Sequence, residues 1–120
     1  IKFIKPQSYS DYVNLQINSR CVISDSGTIN EESSILNFPA LNIREAHERP
    51  EAMEESSVIM TGVNYDRIIQ ALEILDSQKR DEFRSLKLVK DYNVDNVSEK
   101  IIRVILSYTD YVKKNIWKEY

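Results

Sequence analysis

Residues 23–39 read ISDSGTINEESSILNFP. An apolar run, CVIS at 21–24, ends in Asp25-Ser26-Gly27-Thr28, and a helical pattern with paired glutamates, Glu31 and Glu32, follows at once. Apolar runs of this length without alternation suit strands buried on both faces of a parallel sheet. Similar runs recur in PALNI at 39–43 and VIMT at 58–61, with helical patterns between them. Strand, helix, strand, helix, strand is the grammar of an α/β fold with a parallel sheet and flanking helices.

The flanks extend this order. Ile1–Lys5 reads as a further strand closed by Pro6, and a chain that opens inside a strand is expected to be part of a longer protein. Ser8 or Ser10 can cap a helix over Asp11–Asn18. Asn64 can cap the helix that follows VIMT, with Asp66 at its positive end and Ile68, Ile69, Leu72 and Leu75 on one face. Val63 and Ile68 have the spacing of a hydrophobic staple. Residues 77–94 are charged and aperiodic and read as a connection. From Asn96 to Tyr120 the pattern is a long amphipathic helix: Ile101, Ile105, Tyr108, Val112 and Ile116 repeat, widened by Val104, Tyr111 and Trp117. Asn96 and Glu99 resemble a capping box at its start.

The totals set bounds. The 120 residues amount to one domain. With 42% hydrophobic and 29% charged residues, the composition is that of a globular chain. A net charge of -3 argues against a surface built for nucleic-acid backbone. No apolar stretch approaches the roughly 20 residues that cross a membrane. Cys21 has no partner for an internal disulfide and reads as a small buried hydrophobe in a reducing, cytoplasmic setting. One cysteine and one histidine, His47, cannot furnish a structural zinc site, and no cofactor is expected.

The turn at 25–28 has two readings. Gly27 allows close backbone approach and tolerates positive φ, and the helix behind it offers unpartnered N–H groups and partial positive charge. A phosphate is a natural guest there, at the carboxyl end of a strand where α/β proteins bind ligands. Thr28 and Glu31 also match a capping box, Thr-x-x-Glu, which accounts for both without a ligand. If Glu31 caps, Glu32 is left free, either as a solvated charge or as an acceptor for a ribose diol.

A second cluster, REAHERPEAMEE at 44–55, follows at a telling distance. SDSG, EE and ERPE in this order resemble the carboxyl-terminal part of the non-hydrolysing UDP-N-acetylglucosamine 2-epimerases. The upstream PQSYSDYVNLQ is similar to the family's Pro-Gln-x-Tyr segment. The resemblance runs from about Pro6 to about Leu75, and more loosely to the end. It implies part of the C-terminal Rossmann-like half of a two-domain, GT-B-like fold: residues 1–95 as the UDP-binding part, 96–120 as the terminal helix, and an N-terminal domain missing from the chain. The implied chemistry is elimination of UDP from a UDP-2-acetamido sugar and its re-addition, by acid/base groups expected outside this stretch. The chain alone is therefore expected not to turn over substrate.

The resemblance also implies roles. Ser26 and Gly27 would meet the diphosphate, Glu32 the ribose hydroxyls and Tyr12 the uracil, while Arg49 would sit near the phosphates. Thr28 stands where many relatives have a second glycine, and could add its hydroxyl to the ligand or narrow its approach. His47, which can titrate near neutrality, stands one residue before ERPE, as a site group or an ordinary surface group. Tyr12 could equally be core, and Arg49 could pair only with Glu48 or Glu51. Pro50 and Glu51 suit a helix start. REAHERPE departs from the common Arg-Asp-Thr-Thr-Glu-Arg-Pro-Glu form and, with SDSGT, looks like relatives that form UDP-N-acetyl-L-fucosamine for capsule and O-antigen. The partners implied are a UDP-sugar and the missing domain; a homodimer is open. A noncatalytic nucleotide-binding or interaction module, docking through the last helix, is the alternative, and it gains if Arg49 and Glu32 point away from Ser26. A retaining glycosyltransferase of similar fold is another, though ERPE fits it poorly.

Overall fold

The computed structural model describes residues 1–46, 48–80 and 82–119. Three strands, β1 (Val22–Ser24), β2 (Ala40–Asn42) and β3 (Ile59–Met60), form a parallel sheet in the order β1-β2-β3. Val22 pairs with Ala40, and Leu41 with Ile59. The helices between and around them are α1 (Tyr9–Asn18), α2 (Ile29–Leu36), α3 (Pro50–Glu54), α4 (Tyr65–Leu75) and α5 (Val97–Val112).

Side-chain alternation along β2 divides the core. Ala40 packs with Ile29, Phe38 and Val58 on the α2 side, backed by Val22 and Leu36. Leu41, one residue on and pointing the other way, packs with Ala71 and Leu75 of α4, backed by Cys21, Ile59, Ile68 and Leu72. The central strand is thus buried on both faces, as its apolar run predicts. The edge strand β1 is not: Ile23 remains half exposed, α4 packing chiefly against β2. Cys21 is for the same reason only partly covered.

The helix signals act where expected. Ser8 caps α1, its hydroxyl accepting from the Asp11 N–H, and Asn64 caps α4 by accepting from the Arg67 N–H. Pro50 opens α3. Asn37 ends α2 in the left-handed region at φ 58, which asparagine tolerates.

Three expectations fail. Ile1–Lys5 forms no strand; Ile1, Phe3 and Ile4 are exposed. A strand requires a neighbour to complete its hydrogen bonds, and among the described residues none lies beside this segment. Asn96 makes no capping bond to α5, its backbone at φ -116, ψ 38 lying outside the extended conformation of a cap, and Glu99 turns to Arg103 one helical turn on. Thr28 also makes no capping bond to α2, for a reason given below.

The connection at 77–94 is stapled by arginines. Arg84 donates to the carbonyls of Ser34 and Ile35 at 2.6 and 2.7 Å, satisfying the end of α2. Arg80 reaches the carbonyls of Ser19 and Arg20, and Val89 is buried with its N–H donated to Ser34 Oγ. A single 3-10 turn, Lys90–Tyr92, leads on to α5. No residue of α5 is buried, and its apolar stripe, continued through a π turn at Lys113–Trp117, faces outward. Among the described residues, no helix is long and apolar enough to cross a membrane.

Candidate functional site

The parallel sheet sends β1 and β2 into adjacent loops at their carboxyl ends. The first is the Ser26-Gly27-Thr28 turn; the second is the 43–49 loop. Asn42, the last residue of β2, joins them: its amide donates to the Ser26 carbonyl at 3.2 Å, and its Oδ1 accepts from the Arg44 N–H at 2.9 Å. Nothing in the sequence marks Asn42, whose role depends on strand register.

The turn is internally braced. Ser24 Oγ accepts from the Ser26 N–H, and Ser26 Oγ from the Thr28 N–H. The Ser26 and Thr28 hydroxyls lie 2.9 Å apart, and the buried Asn30 amide donates to the Gly27 carbonyl at 3.0 Å. Among the described residues nothing accepts from the Gly27 N–H. Gly27 does not use the left-handed backbone expected of it; Gly62 does, at φ 59. What Gly27 supplies is room. A Cβ there would stand 3.3 Å from Glu48 Oε2, 3.7 Å from Arg44 Nη1 and 4.0 Å from Arg49 Nη2. Ser26, Gly27 and Arg49 are therefore brought together.

Neither glutamate takes the role the spacing predicts. Glu31 does not close a capping box; it takes Arg49 Nε at 2.7 Å. A charge-assisted bond to a guanidinium outweighs a neutral N–H, and the guanidinium arrives from a loop that spacing cannot foresee. Arg49 accordingly pairs with neither the Glu48 nor the Glu51 carboxylate, although its Nη1 donates to the Glu48 carbonyl at 3.1 Å. Glu31 raises the Arg49 pKa further, first by the hydrogen bond and then by its charge.

Glu32 is held, not free. Its Oε1 accepts from Thr28 Oγ1 at 3.1 Å, and its Oε2 from the Tyr12 hydroxyl at 3.3 Å and from the amide of the buried Gln16. Thr28 thus spends its hydroxyl on Glu32 instead of capping α2. Tyr12 is partly exposed, so the core alternative for it fails. Its phenol pKa is raised by burial and by the neighbouring Glu32. A carboxylate clamped by three donors, two from α1 and one from the turn, is preoriented, which is what a binding group requires. Tyr92, missed in the sequence, buttresses the far side of the loop by donating to Glu51 at 3.0 Å. Its pKa is also raised, first by burial and then by Glu51. His47 lies outside the described residues.

The arrangement gathers an open N–H, two guanidinium groups (Arg44, paired with Glu48, and Arg49, paired with Glu31) and the oriented Glu32 carboxylate around one turn. That set can hold an anion beside a diol.

Comparison with known proteins agrees. Residues 1–106 match the family model described as UDP-N-acetylglucosamine 2-epimerase. The UDP-N-acetylglucosamine 2-epimerase of Methanocaldococcus jannaschii is 33% identical over 111 residues, covering 92% of this chain and 28% of the relative. That of Campylobacter jejuni is 35% identical, covering 88% and 28%. Among solved structures, the Rickettsia bellii UDP-N-acetylglucosamine 2-epimerase superposes with a TM-score of 0.89 at 49% identity, over 98% of this chain and 32% of that one. The M. jannaschii enzyme in complex with UDP-GlcNAc and UDP gives 0.73 at 31% identity, over 87% and 27%. The chain therefore spans about a third or less of these relatives. The fold class read from the sequence, an α/β portion of a GT-B-like epimerase ending in a long helix, is that of these structures.

Proposed function

Because the chain belongs to the UDP-N-acetylglucosamine 2-epimerase family, we propose that it is the UDP grip of an enzyme that epimerises a UDP-2-acetamido sugar. The observation that carries this is the convergence of Glu32 and Arg49 on one turn: Glu32 accepts from Thr28, and Arg49 Nη2 stands 4.0 Å from the Cβ position of Gly27. The interaction-module alternative would have gained had both pointed away, and neither does.

In this reading Gly27 and Ser26 meet the diphosphate, with Thr28 at its edge. Arg49 lies against the phosphates, Glu32 takes the ribose hydroxyls and Tyr12 lies along the uracil. Residues 1–95 are the binding part, and α5 with its extension is a separate terminal element. The whole enzyme removes the proton from the carbon bearing the acetamido group while the anomeric C–O bond breaks and its electron pair leaves with UDP. A proton returns to the opposite face of that carbon, and UDP adds back. The grip stabilises the charge gained by departing UDP, the electrostatic work that lowers such a barrier. The acid and base belong to the remainder of the enzyme. REAHERPE and SDSGT further support a subclass that makes UDP-N-acetyl-L-fucosamine for surface polysaccharide, working in the cytoplasm.

Calorimetry of UDP binding tests the assignment. The chain should bind UDP, and Glu32→Ala and Arg49→Ala should each weaken binding at least about tenfold, the loss expected when a charged hydrogen-bond partner is removed. Unchanged affinity in both variants refutes it. The purified 120 residues should show no epimerisation of their own; turnover would place the acid and base here.

A further inference from the structure

The anion seat already contains an anion. Arg44 and Glu48, four residues apart, form a bidentate ion pair, Nη2 to Oε1 at 2.6 Å and Nη1 to Oε2 at 3.0 Å. The pair lies over Gly27: Glu48 Oε2 is 3.3 Å, and Arg44 Nη1 3.7 Å, from where a Cβ would be. Arg49 Nη2 faces the same point at 4.0 Å. A carboxylate thus occupies a niche formed by two guanidinium groups and a glycine. The recess lined by Gly27, Asn30, Asn42, Arg44 and Glu48 retains about 10 Å³, space for about one water. No diphosphate enters unless a side chain moves.

Glu48 is built to move. Its side chain is 52% exposed and Arg44's 31%. An exposed pair of this kind is worth only about 0–1 kcal/mol. A carboxylate and a phosphate oxygen pair present the same geometry to a guanidinium fork, and a diphosphate brings more charge.

We propose that Glu48 is a displaceable stand-in for the diphosphate, and that Arg44, released from it, becomes a diphosphate ligand beside Arg49. The inference rests on the reading of the turn as a diphosphate seat and adds an exchange to it. Arg44 keeps its fork paired when the seat is empty and does not have to be ordered when the ligand arrives. Competition by Glu48 disfavours singly charged anions, which gain little by replacing it.

Side-chain NMR of the arginine Nε–H groups, with the Gly27 amide, tests this during titrations with UDP, inorganic pyrophosphate and uridine. UDP and pyrophosphate should move the Arg44 signal, and uridine should not. Glu48→Gln should bind pyrophosphate about two- to fivefold tighter, the worth of the pair it removes. Arg44→Gln should bind it about tenfold weaker or more. Glu45→Gln, an equal change in net charge on the same loop, should leave affinity nearly unchanged. Weaker binding by Glu48→Gln would mean that Glu48 only positions Arg44, and equal tightening by Glu45→Gln would reduce the effect to net charge; either overturns the exchange. A silent Arg44 signal while Gly27 and Arg49 respond overturns the exchange and leaves the seat standing. A Gly27 amide unmoved by UDP and pyrophosphate removes the seat itself.

Discussion

Gly27→Ala separates the two services a glycine can offer, conformational freedom and space. The Gly27 φ lies outside the left-handed region, so alanine meets no backbone strain. At such positions Gly→Ala stabilises by about 0.4–1 kcal/mol, because the unfolded chain loses freedom. Against this stands the new methyl, 3.3 Å from Glu48 Oε2 and 3.7 Å from Arg44 Nη1. Both are ends of flexible side chains, and moving them sacrifices at most an ion pair of about 0–1 kcal/mol. The two effects nearly cancel. Stability should stay within about 0.5 kcal/mol of wild type, a shift in Tm of no more than about 4 °C. Binding should respond very differently. The methyl fills the space where Glu48, Arg44 and Arg49 converge on Gly27, the place of the proposed guest, and losing a hydrogen bond to a charged group costs about 1.5–3 kcal/mol. UDP should bind about ten- to a hundredfold more weakly. Thermal denaturation followed by circular dichroism and UDP calorimetry measure the two quantities on one sample. A destabilisation beyond about 1.5 kcal/mol would mean that the turn needs glycine for its backbone, and unchanged UDP affinity would mean that no ligand approaches there.

Leu41→Ala should cost about 2–5 kcal/mol in urea denaturation, since Leu41 is fully buried against Ala71 and Leu75. Ile105→Ala, on the exposed stripe of α5, should fall within about 0.5 kcal/mol; a comparable loss at both sites would show that α5 is packed in solution. Tyr12 and Tyr92 have pKa values raised by burial and by Glu32 and Glu51 respectively. The stability they contribute is complete below their unfolded value of about 10 and is lost as pH rises through the higher folded values. A Tyr12→Phe, Tyr92→Phe variant should therefore lose less stability above that pH than wild type, and an identical alkaline decline would contradict the contacts. The Cys21 thiol is pushed up by partial burial, so alkylation at pH 8 should be slower than for the unfolded chain; equal rates would refute its cover.

Local physics made much of this protein legible. Short apolar runs declared parallel strands, because a strand covered on both faces has no polar side to show. Ser8, Asn64 and Pro50 declared helix starts, because an N-terminus must satisfy donors within a few residues. The order of SDSG, EE and ERPE pointed to a family and to Ser26, Gly27, Glu32 and Arg49 as a group. Spacing failed where a better partner lay far along the chain. Thr28 and Glu31 have the spacing of a capping box, yet Arg49, eighteen residues on, takes Glu31, and Thr28 turns to Glu32. Ile1–Lys5 has the composition of a strand, but a strand exists only where a neighbour completes its hydrogen bonds. Asn42, Arg44 and Glu48 gained their meaning only from the fold. The pairing of β1 with β2 brings two loops over one glycine, and which charges face each other there is a property of register and distance, not of any single segment.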